Sequence, residues 1–265
     1  MAEDLCTYDV ADGIATLAFN RPDSMNGMTG NMEVAYFDRL QQAQADADVR
    51  VIVLTGNGRA FCPGADLAHR PGPDDQPLPN NQLPRTLPLD IRKPMIAAIN
   101  GACAGVGLAY ALQCDLRFAV NNAKFTTAFS RRGLIGEYGM AWLLQSIAGR
   151  QTAMDLLLSA RVVLGDEAAK LGIISGAFDT DDLMPHVLSY AADLAANVSP
   201  ASMATIKHQI NAEVDMTVHD ATGHAEGLMR ESLAGDDVQE GIASFLEKRQ
   251  VTFPPLGQGT SFDWM

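Results

Sequence analysis

The apolar positions change their period along the chain. Short runs rich in Val, Ile and Ala, at Ile14–Phe19, 51–54, Met95–Ile99, Leu116–Val120 and 173–178, read as strands buried on both faces. Between them the spacing widens. Met32, Tyr36, Leu40 and Ala43 recur every three to four positions and predict a helix over residues 32–43. Residues 142–158 form a longer apolar stretch, interrupted at Gly149-Arg150. This alternation predicts an α/β fold with crossover connections. From about Asp181 the pattern is helical throughout, over 183–197, 201–212, 219–233 and 238–250. Asp237 is placed to cap the last helix, with Glu240 three residues on, and Val238, Ile242, Phe245 and Leu246 form its apolar face. The chain thus divides into an α/β core, 1–198, and a helical region, 199–265. Residues 71–88 hold six prolines and no period, and read as a long lid-like loop.

Composition narrows the field. With 265 residues, 47% hydrophobic and 19% charged, the chain can bury one large core. A formal net charge of −13 argues against a nucleic-acid surface, so an anionic ligand must rely on local cations and backbone donors. Cys6, Cys62, Cys103 and Cys114 lack Cys-x-x-Cys spacing and sit among apolar residues, which predicts reduced thiols and no zinc site. The acidic Met1-Ala-Glu-Asp-Leu5 lacks the apolar stretch of a signal peptide, and the longest apolar runs fall short of a membrane span. A cytoplasmic protein with no membrane or nucleic-acid partner is expected.

Three segments carry candidate chemistry. A strand ending near Leu54 leads through Gly56 and Gly58 into Phe61-Cys-Pro-Gly-Ala-Asp-Leu67, with Asp66 expected to open a helix. A second strand ends at Ile99, and Gly105-Val106-Gly107 opens a helix over 108–112. Unpaired N–H groups at two such starts can hold a carbonyl oxygen as it gains charge. The same glycines also suit tight turns alone. Neither segment is a phosphate loop or a dinucleotide fingerprint. In the third, Phe125 to Gly139, Glu137 stands alone among glycines and apolar residues. It can serve as a base, or it can merely favour the start of a following helix. Phe129, Tyr138, Met140 and Trp142 are candidates for an acyl pocket or for plain core. Arg131 and Arg132 are candidate ion-pair partners of Glu137, and Asp115 reads as structural. His69 reads as solvated or ligand-facing, and Ser130 has no His beside it to form a triad.

Asn20-Arg-Pro22, Met25-Asn26, Phe61 to Leu67, Lys93-Pro-Met-Ile-Ala-Ala-Ile-Asn-Gly101, Cys114-Asp115, Ser159-Ala-Arg161 and residues 168–174 occur in an order that resembles the crotonase (enoyl-CoA hydratase/isomerase) superfamily. The likeness runs from about residue 5 to residue 249. It implies a crotonase-like spiral of ββα units and a helical C-terminal trimerisation region, hence a homotrimer or a dimer of trimers. It also implies an acyl-CoA substrate, with coenzyme A as part of that substrate and no metal or separate cofactor. Matched by position, the N–H groups of Ala65 and Val106 form an oxyanion hole. Ala65, Asp66, Leu67 and Ala68 hold the adenine end of CoA. Independently of the resemblance, Lys248 and Arg249 on the last helix read either as meeting a CoA phosphate, of this or a neighbouring subunit, or as a solvated helix C-terminus. Where the family's hydratases place two glutamates, this chain has Ala109 and Phe129. The segment around Glu137 instead resembles the Gly-Leu-x-x-Glu-x-Gly of Δ3,Δ2-enoyl-CoA isomerases. Isomerisation of a 3-enoyl-CoA is therefore expected. Two alternatives stay open: a hydratase-type paralogue with Glu137 as lone acid/base, and a catalytically silent acyl-CoA-binding subunit.

Overall fold

The computed structural model describes residues 4–69, 83–262 and 264. Among the described residues, ten strands lie in two sheets. Strands β1 (Cys6–Ala11) and β2 (Ile14–Phe19) form a hairpin across Asp12-Gly13, both with positive φ as a two-residue turn requires. The apolar pattern did not reveal β1, because Thr7 and Asp9 break its apolar run and its last three residues are exposed on a strand at the sheet edge. Then β3 (Val51–Gly56), β5 (Met95–Ile99), β7 (Leu116–Val120) and β10 (Gly176–Phe178) extend the sheet in parallel, giving the order β1-β2-β3-β5-β7-β10. The second sheet collects short strands that directly follow these: β4 (Ala60–Cys62), β6 (Ala102–Ala104) and β8 (Lys124–Thr126), closed by β9 (Val163–Leu164) in the order β4-β6-β8-β9.

Each turn of the chain thus gives one strand to each sheet, and a helix returns it to the next. That is the expected spiral of ββα units. Asn100, in the turn between β5 and β6, donates to the carbonyls of Gly56 (2.7 Å) and Gly58 (2.9 Å), so successive turns are stitched together. The expected strand over 173–178 is shorter than its apolar residues suggest. Pairing with β7 begins only at Gly176↔Phe118, because the left-handed turn at Gly172 bends the preceding residues away.

The helices are α1 (Gly30–Ala45), α2 (Leu87–Asp90), α3 (Val106–Leu112), α4 (Met140–Ser159), α5 (Gly165–Lys170), α6 (Thr180–Asn197), α7 (Pro200–Ala212), α8 (Val218–Ala234) and α9 (Asp236–Glu247). Thr29 caps α1 by accepting from Met32 N–H, and the face carrying Met32, Tyr36, Phe37 and Leu40 is buried against the sheet. Within α4, Gly149 leaves helical geometry at the interruption seen in the sequence. Of the proline-rich stretch, residues 71–82 lie outside the described residues; α2 forms one helical turn at its end, with Pro88 buried.

The helical tail departs from expectation at one end. Gly235, not Asp237, precedes α9. The Asp237 carboxylate is drawn inward, where it accepts from Ser199 Oγ and from Thr260 Oγ1 (2.9 Å), while Glu240 pairs with Arg249 at 2.6 Å. The capping box therefore does not form, because both carboxylates have stronger partners. Ile242, Phe245 and Leu246 of α9 are 57%, 81% and 72% exposed, so this apolar face lies outside the chain's own core. Among the described residues, no helix is long and apolar enough to cross a membrane.

Candidate active site

Parallel pairing decides where the two glycine segments meet. Strands β4 and β6 run side by side in the same direction, so the loops leaving their C-terminal ends emerge together. Gly64 adopts φ +114°, a conformation that excludes other residues, and a Cβ there would meet Ala104 O at 3.3 Å. Helix α3 starts directly against the other strand: a Cβ on Gly107 would stand 2.2 Å from Cys62 O and 2.7 Å from Cys62 Cβ.

This contact controls two donors. Met28 N–H reaches Gly64 O, and Asp66 N–H reaches Met28 O, so the bridge between Met28 and Ala65 leaves Ala65's own N–H unused. Val106 is the first residue of α3, with no intrahelical acceptor for its N–H. Among the described residues, no backbone carbonyl accepts from either group. Both residues line one cleft of about 510 Å³. Gly107→Ala is expected to destabilise the fold by about 1–3 kcal/mol, or more if the backbone cannot yield. Denaturant unfolding of the purified variant measures this; unchanged stability would mean that the α3 start shifts freely on β4. Burial pushes the Cys62 thiol up to about 12, so it packs beneath the site as an inert neighbour.

The expected helix at Asp66 is absent. Asp66 forms a turn, because its carboxylate accepts from Ala68 N–H (3.1 Å) and His69 N–H (3.0 Å) and pairs with Arg21 at 3.0 Å. Desolvation raises the Asp66 carboxyl, but Arg21 and the two N–H groups outweigh it and hold the group below its ordinary 3.8. A lowered folded-state value means stability that is present above the ordinary carboxylate range and lost as pH falls through it. Asp66→Asn is accordingly expected to cost about 1.5–3 kcal/mol near neutral pH. That difference from wild type should shrink in acid. A urea titration at both pH values checks it, and a difference independent of pH would contradict the ion-pair account.

Glu137 arrives from the third segment. After β8, the residues leading to α4 are bound to that helix's far end. Thr127 Oγ1 donates to Leu156 O (2.8 Å), Ser130 Oγ to Leu158 O (3.1 Å) and Arg131 Nε to Ser159 O (2.9 Å). Leu158 O and Ser159 O are among the last carbonyls of α4, which lack intrahelical partners, while Leu156 O also accepts from Ala160 N–H at 3.0 Å. The segment returns to the start of α4, where Glu137 O accepts from Met140 N–H at 2.9 Å. Glu137 lies two residues before the N-cap Gly139, outside the first turn of α4, which holds no acidic residue. Arg131 and Arg132 serve main-chain carbonyls, Arg132 through Ala128 O at 3.1 Å, and not Glu137.

Glu137 lines the same cleft as Ala65 and Val106, and is the sole carboxylate among the described residues that do so. Phe129 and Tyr138 line it too, as does Leu67. Trp142 does not. It is 52% exposed and faces a separate groove with Ile206 and Ile210, because the first turn of α4 points it away. Lys248 is likewise outside the cleft, at the C-terminal end of α9. Ala109 is fully buried in α3, Asp115 accepts from Met95 N–H and Lys207, and Ser130 is tied to a carbonyl.

Sequence reasoning missed Arg85 and Glu33. Arg85 lines the cleft and lies in the stretch read only as loop. Glu33 is fully buried beside it. A carboxylate on the otherwise apolar face of α1, three residues before Tyr36, was the available signal.

The model of the enoyl-CoA hydratase/isomerase family matches residues 9–255. The 1,2-epoxyphenylacetyl-CoA isomerase of Escherichia coli is 34% identical over 253 residues, covering 92% of this chain and 96% of that protein. The (E)-benzylidenesuccinyl-CoA hydratase of Thauera aromatica is 32% identical, covering 93% and 98%. Among solved structures, an enoyl-CoA hydratase from Bacillus anthracis superposes with a TM-score of 0.87 at 25% identity, covering 94% of this chain and 99% of that one.

Proposed function

The chain belongs to the enoyl-CoA hydratase/isomerase family, and from that premise we propose that it converts a 3-enoyl-CoA to the conjugated 2-enoyl-CoA. The observation that carries this reading is the convergence, in one cleft, of two N–H groups with no backbone acceptor and a single carboxylate among the described residues. The thioester oxygen sits between Ala65 N–H and Val106 N–H. Glu137 takes a proton from C2, and the electron pair delocalises through C1 onto that oxygen, in conjugation with C3=C4, giving a dienolate. Glu137 then returns a proton to C4, leaving the double bond between C2 and C3. The two N–H groups hold the oxygen at the moment it becomes charged, where preorganised donors act most strongly. Coenzyme A enters and leaves as part of the substrate, its adenine end against residues 65–68.

Ala109 and Phe129 support isomerisation over hydration, since neither side chain can position water. The names of several relatives support the second reading, hydration with Glu137 as lone acid/base. One assay separates the two. Purified protein is given 3-enoyl-, 2-enoyl- and 2,4-dienoyl-CoA; isomerisation raises the ultraviolet absorbance of the conjugated thioester, and hydration adds the mass of one water. Rapid gain of water by a 2-enoyl-CoA, without isomerisation of any 3-enoyl-CoA, would sink the isomerase reading.

The proposal includes a homotrimer or a dimer of trimers in the cytoplasm. Support comes from the uncovered Ile242, Phe245 and Leu246 and from exposed Ile206 and Ile210 beside Trp142. Light scattering at micromolar concentration is expected to report three or six chains; a monomer there would refute it.

A further inference from the structure

Beyond Glu137, the cleft wall turns polar in an unusual way. Tyr138 has φ +56°, a left-handed backbone that bulky residues rarely adopt, and the conformation turns its side chain into the cleft next to the base. The Arg85 guanidinium lies 4.3 Å from the centre of the Tyr138 ring and lines the same cleft. Behind them is Glu33, fully buried. Tyr110 Oη donates to its Oε1 at 2.5 Å, and Arg85 Nε stands 3.7 Å from that oxygen. Tyr110 also meets the Tyr138 ring edge-on at 5.9 Å between centres. Two tyrosines, an arginine and a buried carboxylate thus form one connected group that reaches the cleft through Arg85 and Tyr138.

This group is costly for a site that takes only a hydrocarbon chain. A buried charge pair contributes little net stability, and an alkyl chain would cover polar hydrogens without replacing their hydrogen bonds. Arg85 Nε is buried with no hydrogen-bond partner, and the Tyr138 hydroxyl is hydrogen-bonded by the Arg85 side chain, a donor, so that its own proton is left for an acceptor in the cleft. Burial first, then Glu33, push the Tyr138 phenol up to about 12, so it keeps that proton and remains a donor. Charge decides what kind of acceptor fits. Two guanidiniums, Arg85 and Arg132, line the cleft and are already balanced by Glu33 and Glu137. A carboxylate on the acyl group would add a negative charge with no cation left to balance it, whereas a neutral oxygen would not.

We propose that Tyr138 and Arg85 are specificity residues which donate hydrogen bonds to an uncharged oxygen (keto, hydroxyl or ether) on the acyl group, beyond the carbons that exchange protons. This deepens the isomerase reading and rests on it, since the same cleft must hold the acyl-CoA. It also separates the protein from enzymes of plain fatty acyl chains.

Calorimetric titration of the full chain with saturated thioesters tests it without turnover. The panel is hexanoyl-CoA, its 4-oxo, 5-oxo and 6-hydroxy derivatives, and adipyl-CoA. At least one neutral oxygen-bearing thioester is expected to bind about tenfold to a hundredfold more tightly than hexanoyl-CoA, because a site built for an oxygen penalises the analogue lacking it. Tyr138→Phe, which keeps the ring contacts and removes only the hydroxyl, should abolish most of that preference; Arg85→Met is the second variant. Equal binding across the wild-type panel overturns the inference and leaves the isomerase reading untouched. So does a preference that survives both substitutions. Tightest binding of adipyl-CoA overturns the neutral oxygen in favour of an anion. Failure of every thioester to bind overturns the inference and the isomerase reading together.

Discussion

Glu137→Gln is expected to lower isomerase turnover by roughly 10²–10⁴-fold while leaving acyl-CoA affinity within a few-fold of wild type. Gln keeps the size and shape of the side chain but cannot accept a proton. Nothing else should move. The Glu137 carboxylate makes no ion pair or side-chain hydrogen bond among the described residues, and its segment is held by Thr127, Ser130 and Arg131. The loss therefore belongs to the chemical step. Exchange of the C2 hydrogen with solvent deuterium should fall in parallel, since removal of that proton is the step Glu137 performs. Full activity of the variant on a verified substrate would remove Glu137 from the mechanism. A wild type inert on every enoyl-CoA that it binds would favour a silent acyl-CoA-binding subunit.

Val106→Pro removes one hydrogen-bond donor where proline otherwise fits. Val106 is the first residue of α3, a position where the N–H has no intrahelical acceptor and the proline ring is tolerated. Gly105 before it has no Cβ to meet that ring. If Val106 N–H holds the enolate oxygen, kcat should fall by about 10²–10³-fold, equivalent to about 2.7–4 kcal/mol. KM should change less, because the charge appears only in the transition state. Val106→Ala separates loss of the N–H from loss of the side chain; it trims the same buried residue, keeps the donor and should retain most turnover. Unfolding curves of both variants show whether α3 still forms. A proline variant with wild-type kcat and intact stability would place the oxyanion elsewhere.

Much of this was legible along the chain, for a local reason. Apolar period depends on neighbours two to four residues apart, so Ile14–Phe19, Met95–Ile99 and Leu116–Val120 coincide with the observed strands, and Met32 to Ala43 lies within α1. Glycine segments and an isolated carboxylate are equally local, and the ordered motifs carried the family. Where a side chain spends its hydrogen bonds is not local. Asp237 looks like a cap until Ser199 and Thr260, far away in sequence, take its carboxylate. Asp66 looks like a helix start until Arg21 and its own turn claim it.

The sequence by itself determined the α/β class, the family and the three segments that bear the chemistry, because those are properties of residue type and short spacing. Only the tertiary structure decided that they meet. Parallel pairing of β4 with β6 brings Ala65 beside Val106, and the bonds to the far end of α4 bring Glu137 to the same cleft. It also decided that Arg85, Glu33, Tyr110 and Tyr138 form one group, though they come from four separate parts of the chain. A lone arginine in a proline-rich stretch carries no pattern. Its partner is set by which helix the fold lays across it, and that choice is made by packing.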